Sequence, residues 1–253
     1  MSDMRTRPVV IAQCTLAAVL VLGGCSSAPG AVATTGPSPV VTIPADPAAA
    51  LAAASSRLGT QSARFTISYG EGEPFGSKQS GVVDPATGRW ELTSDSYVIR
   101  RIDGDVYVKL TKVPATLPEK VYTKAIGKWI HQRVPHGAEY SRTFNKDFPW
   151  YTGRSVASGT DIVKAGDRSY RGRISFDESI RPSADTPQAA DFVVELDGEG
   201  RITRMSLVAP DAKVSPTDLT YTYTDFGLPV DVSAPPPGEV IEMLLPLPAM
   251  GIV

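Results

Sequence analysis

The sequence predicts an α+β fold, mostly antiparallel β, in which a strongly curved half-barrel sheet carries helices across its mouth. Three observations predict it. From Ala63 onward apolar and polar residues alternate with a period of two in one segment after another. The breaks between those segments hold hairpin chemistry, and only short stretches elsewhere have helical character. Strands twist, so an antiparallel sheet of roughly ten of them must curl, close or be covered on one face, and with few helices available the curl remains.

The chain opens on an export signal. Arg5 and Arg7 stand ahead of the apolar run Val9–Leu22, the charged and apolar regions of a secretory leader. The run falls short of the ~20 apolar residues a transmembrane helix needs. Leu22-Gly23-Gly24-Cys25 resembles a bacterial lipobox. Residues 1–24 are therefore expected to be a cleaved signal peptide, and Cys25 the lipid-bearing N-terminus. An ordinary secretory leader with an incidental cysteine is the alternative. No dissociable cofactor is expected, only a covalent diacylglycerol on Cys25, with an N-acyl chain as a further tail. Two or three acyl chains anchor durably where one binds marginally, which places the mature chain on the outer face of the cytoplasmic membrane, in the cell envelope. Cys14 leaves with the leader, so no intrachain disulfide is available.

Residues 25–46 read as a tether of Ser, Ala, Gly, Pro, Thr and Val without periodicity, with a reach of about 25 Å. Asp46-Pro47 reads as an N-cap followed by proline at the first helical position, opening an alanine-rich helix through Leu58 that stops at Gly59. Phe65, Ile67 and Tyr69 alternate with Thr66 and Ser68 in the first strand. Further strands are predicted at Gly81–Asp84, Arg89–Thr93, Tyr97–Ile102, Val106–Leu110, Lys128–Arg133, Arg168–Phe176, Phe192–Leu196, Ile202–Val208 and Leu219–Asp225. Asp84–Gly88, Asp103-Gly104 and Asp197–Gly200 are the turn signals, the second a type I′ candidate needing positive φ. Glu119–Ile126 and Ala138–Asn145 read as short helices, the second leading into Phe144, Phe148, Trp150 and Tyr151. One folded domain, 47–239, follows from this pattern. Val240–Val253 reads as an apolar C-terminal tail, too short and too interrupted by Pro246 and Pro248 to span a bilayer.

The chain carries a net charge of −2, and losing Arg5, Arg7 and Asp3 with the leader makes it more acidic by one. That balance argues against nucleic acid as a partner. The distribution is uneven: Lys109, Lys112, Lys120, Lys124, Lys128 and Arg133 face only Glu119 in their stretch, while Asp177 to Glu199 holds seven acids against Arg181. The basic stretch reads either as a surface toward anionic lipid headgroups or as an ordinary solvated face.

Taken in order, several segments resemble the LppX/LprAFG lipoproteins of actinobacteria. They are the lipobox, the short tether, the alanine-rich helix, Arg64–Ser68, Asp103-Gly104-Asp105-Val106-Tyr107-Val108, Gly127-Lys128-Trp129-Ile130, and Tyr223-Thr224-Asp225-Phe226-Gly227-Leu228-Pro229-Val230 before Pro235-Pro236. The resemblance implies a LolA/LolB-like half-barrel with helices covering a hydrophobic cavity. It also implies a membrane-anchored protein that binds, and transports, lipid or lipoglycan in the envelope. Pro135–Tyr151 and the long apolar C-terminus depart from the family pattern.

Such a carrier needs no catalytic group, only a dry apolar face, because exposing an acyl chain of about 15 methylenes costs on the order of 12 kcal/mol. The candidates for that face are Phe65, Ile67, Tyr69, Val106, Val108, Leu110, Phe192, Val194 and Leu196, with Tyr221 and Tyr223 as rims that are apolar in body and polar at the tip. Trp129 and Trp150 are candidates to gate it. Ordinary core packing is the competing reading for each. An anchored protein-binding or scaffold module with a filled core, meeting an envelope protein partner, is the alternative function. An enzyme is a third, but no catalytic or metal motif is found. His131 and His136 are the only neutral-pH bases, both read as surface or turn residues, and their spacing matches no zinc helix or paired strand site.

Overall fold

The computed structural model describes residues 41–70, 78–115, 117–133, 148–175, 188–208 and 218–246. The expected leader, Cys25, the expected tether as far as residue 40, the expected helix Ala138–Asn145, Phe144, His136, Phe176 and residues 247–253 lie outside them. Among the described residues no helix is long and apolar enough to cross a membrane.

Helix α1 (Pro47–Arg57) starts where its cap dictates. The Asp46 carboxylate accepts from the Ala49 amide at 2.8 Å, Pro47 holds the first helical position, and Gly59 follows the end at φ 76°. Ala50, Leu51 and Ala54 form its buried side. The strands are β1 (Ala63–Tyr69), β2 (Lys78–Asp84), β3 (Arg89–Thr93), β4 (Tyr97–Ile102), β5 (Asp105–Leu110) and β6 (Trp129–Arg133). After them come β7 (Thr160–Lys164), β8 (Ser169–Ser175), β9 (Ala189–Leu196), β10 (Ile202–Val208), β11 (Asp218–Thr224) and β12 (Val240–Glu242). Between β5 and β6 lies α2 (Glu119–Tyr122), extended by a 3-10 turn at Thr123–Ala125. Between β6 and β7 lies α3 (Trp150–Ser155), extended likewise at Val156–Ser158.

These strands form one large, curved, unclosed sheet in the order β12-β6-β5-β4-β3-β2-β1-β11-β10-β9-β8-β7. Every neighbouring pair is antiparallel except β12 with β6. The hairpin β4–β5 turns on Asp103 and Gly104 at φ 53° and 95°, the left-handed pair a type I′ turn requires. The turn between β2 and β3 is held by the Asp84 carboxylate, which accepts from the Ala86 amide and the Thr87 hydroxyl. Burial follows the pleat: along β5 and β9 every second side chain is buried, so one face of the sheet is the core.

Two strands go beyond the sequence expectation. β7 has exposed residues on both faces, and its pairing slips between Thr160 and Val163, where Asp161 sits at φ 54°. No alternation survives such a bulge. β12 is three residues of the stretch read as a tail.

Candidate functional site

The pleat and the register bring the predicted apolar residues to one face. Phe65 pairs with Tyr223 and Ile67 with Tyr221 across β1 and β11. Tyr221 meets Met205, which meets Val194, and Leu207 meets Phe192, carrying the face through β10 to β9. On the far side of β1, Val108 lies between Ile99 and Ile130, and Leu110 beside Tyr97. Ten of the eleven candidates (Phe65, Ile67, Val106, Val108, Leu110, Phe192, Val194, Leu196, Tyr221 and Tyr223) are buried members of one apolar cluster, and Tyr69 packs half-buried at its margin.

Two glycines shape this face. Gly81 pairs with Phe65, and a Cβ there would stand 2.6 Å from the Phe65 ring and 2.0 Å from the Glu91 carbonyl oxygen. Gly172 pairs with Phe192, and a Cβ there would stand 2.6 Å from that ring. Each phenyl ring therefore occupies the space a neighbouring side chain would fill, an arrangement that lets a strand bend closely past an aromatic.

A segment from Phe148 to Gly159 runs over the face. Phe148 meets the Phe65 ring edge-on at 6.0 Å and the Trp90 ring at 5.0 Å, and Trp150 lies 5.0 Å from Tyr223. Tyr223 Oη donates to the Pro149 carbonyl at 3.2 Å, and Thr152 Oγ1 donates to Tyr221 Oη at 3.3 Å. A Cβ on Gly159 would reach within 2.7 Å of Phe192. α1 lies against this segment: Ser55 Oγ donates to the Gly153 carbonyl, and Arg154 Nη2 to that of Leu58. Tyr221 and Tyr223, expected at a rim, are thus beneath the cover. Burial pushes the pKa of both hydroxyls up, so they remain neutral donors and acceptors.

The margin of the face lies instead where β1, β2 and β4 begin or end. There Tyr69 Oη donates to Gln79 Oε1 at 3.3 Å and Gln79 Nε2 donates to Tyr97 Oη at 3.0 Å. Burial raises the Tyr97 hydroxyl to about 12. This polar trio inside an apolar wall was not read from the sequence, although Gln79 occupies an inward position in phase with Gly81 and Val83.

Solved structures resemble this architecture. LprF from Mycobacterium bovis is 9% identical at a TM-score of 0.45, the match covering 74% of this chain and 96% of that one. The Mycobacterium tuberculosis lipoprotein LppX is 14% identical at 0.39, covering 73% and 98%. A LolA superfamily protein from Nitrosomonas europaea is 10% identical at 0.30, covering 74% and 94%. No family model and no curated protein matches the sequence.

The other candidates fall elsewhere. Trp150 is in the cover, but Trp129 alternates with inward Ile130 and stands on the opposite face, under Arg100 at 4.6 Å and Lys109 at 5.6 Å. His131 is a strand residue, not a turn residue. Its Nδ1 lies 2.9 Å from Glu242 Oε1, its Nε2 3.0 Å from Asp105 Oδ1, and its ring stacks on Tyr107 at 5.0 Å.

Proposed function

We propose that this chain is a membrane-anchored lipoprotein, lipidated at Cys25, that binds the acyl chains of a membrane lipid or lipoglycan against the concave face of its half-barrel and transfers them within the envelope. The observation that carries the reading is the continuity of that face: cross-strand pairs and same-face neighbours along the strands join Phe192 to Leu110 by way of the pairs Ala63 with Val83, Val83 with Trp90 and Leu92 with Ile99, with short segments laid over them. Such a surface offers solvation to hydrocarbon. Ten of its residues are buried by the chain itself, so a guest reaches them by displacing the cover.

That same burial favours a second reading, an anchored scaffold whose core is filled by its own side chains. Lipid mass spectrometry on an organic extract of the purified protein, with uptake of a fluorescent fatty acid, separates the two. Co-purified lipid and saturable uptake are expected. A protein with neither is the scaffold. A carboxylate at Val108 is a poor probe because that position is fully buried and the fold would suffer first. Tyr69→Glu, at the half-buried margin, is expected to lower uptake severalfold, whereas Tyr69→Phe, which loses the same bond to Gln79 without adding charge, is expected to keep it. Undiminished uptake in Tyr69→Glu would exclude the margin as the route.

A further inference from the structure

The hairpin between β5 and β6 has two sides. Leu117, Tyr122 and Ala125 are seated in the apolar cluster. Interleaved with them in sequence, Lys120, Lys124 and Lys128 are exposed, and so are two apolar side chains, Val121 at 46% and Ile126 at 42%. The base of the hairpin adds Lys112. Gly127 N donates to the Leu110 carbonyl, while Thr111 N and Lys112 N both donate to that of Ser96, so the two ends of the loop are fixed side by side. Among the described residues none of these four lysines is ion-paired. The exposed acids nearby are Glu119 and Asp95.

We propose that this hairpin, Lys112 with Leu117–Lys128, is a docking surface for an anionic bilayer: the lysines meet lipid headgroups while Val121 and Ile126 enter the interface. A protein partner fits the composition less well, because lysine is depleted at protein interfaces and two β-branched side chains of modest size present no aromatic anchor. Each lysine near an anionic surface contributes about 1 kcal/mol, so no single contact holds the body there. A body already tethered to a membrane needs no more than that, since the tether supplies the effective concentration.

The test removes the anchor so that only the surface is read. Val40–Val253 is a compact unit, and a polypeptide beginning at Ser26, made without lipid, contains all of it. Its partitioning is measured onto phosphatidylcholine vesicles with and without phosphatidylglycerol. Binding is expected only with phosphatidylglycerol and is expected to weaken with salt. K120Q/K124Q should lower the partition coefficient about 25-fold, two losses of about 1 kcal/mol each. Ile126→Ser should lower it severalfold, and Val163→Ser, equally exposed but on β7, should leave it unchanged. Equal binding to both vesicle types, or a K120Q/K124Q partition equal to the parent's, overturns the proposal. Fatty-acid uptake by K120Q/K124Q is expected to equal the parent's, so docking and lipid binding fail separately.

Discussion

On the side of β1 and β9–β11 the apolar face lies under helices, whereas on the side of β4–β6 part of its closure is a strap that reaches it from the edge of the sheet. The helical cover is attached through aromatic rings and hydroxyls rising from the face, at Phe65, Tyr221 and Tyr223. The strap leaves β11 through two bonds to Ser62, receives an Arg100 Nη1 bond at the Ser233 carbonyl, pairs with β6 as β12, and then turns Leu245 into the core while Leu244 stays 84% exposed. Gln132 holds that turn, donating to the Met243 carbonyl and accepting from the Leu245 amide. The helical cover rests mainly on large buried rings joined by neutral hydrogen bonds, and the strap on one buried leucine held by polar and charged groups. The first should yield to loss of volume, the second to loss of hydrogen bonds and to pH.

The largest expected effect is on the helical side. Trp150 is buried against Tyr223 and is the largest side chain of the α3 cover. Trp150→Ala should destabilise the protein by about 3–5 kcal/mol in urea denaturation, with faster amide exchange across α1 and α3 and little change at β12. Exchange that accelerates equally at β12 would show that the two covers are a single cooperative unit and break the comparison.

Much of the sheet was legible because burial on one face imposes a period of two. Arg89–Thr93, Tyr97–Ile102 and Ile202–Val208 fold with the bounds their alternation predicts, and Asp103-Gly104 takes the backbone its chemistry calls for. The burial of ten of the eleven apolar candidates was legible for the same reason. What covers it was not. Tyr221 and Tyr223 carry the same alternation at a rim or under a helix, and only the tertiary position of Pro149 and Thr152 decides between them. The Phe65–Gly81 and Phe192–Gly172 pairs depend on register, which alternation alone leaves open by steps of two. Glu242 lies 111 residues from His131 in sequence, so nothing local announces their contact.

On the strap side Gln132→Ala should cost less, about 1–3 kcal/mol, because it leaves a buried amide and a carbonyl without partners. The expected signature is local: faster exchange of the Leu245 amide and protease cleavage near the exposed Leu244, with α1 and α3 unaffected. A purely global loss of stability, with no preferential opening at 243–245, would mean that Leu245 and not Gln132 holds the strap.

The smallest effect is the one that distinguishes the two covers in kind. His131 is 11% exposed and stands between Asp105 on β5 and Glu242 on β12. Burial lowers its pKa, but its contacts with Glu242 and Asp105 outweigh that and raise it above the ordinary value. Tyr107, stacked on the ring, has its own pKa raised by burial and by Asp105, Glu242 and Asp103, and it adds no charge near neutrality. A raised folded-state pKa means that the imidazolium stabilises the clasp fully below the unfolded value of ~6.5, and that this contribution is lost as pH rises through the folded value. With both carboxylates substantially exposed, the amount is under about 1 kcal/mol. Exchange of the Ile241 and Glu242 amides should therefore quicken as pH climbs, after correction for intrinsic rates, and His131→Gln should abolish the trend. Among the described residues the aromatic cover has no such group, so α3 protection should stay level across the same range. A parallel loss there would show that the charge at the edge is felt by the whole sheet.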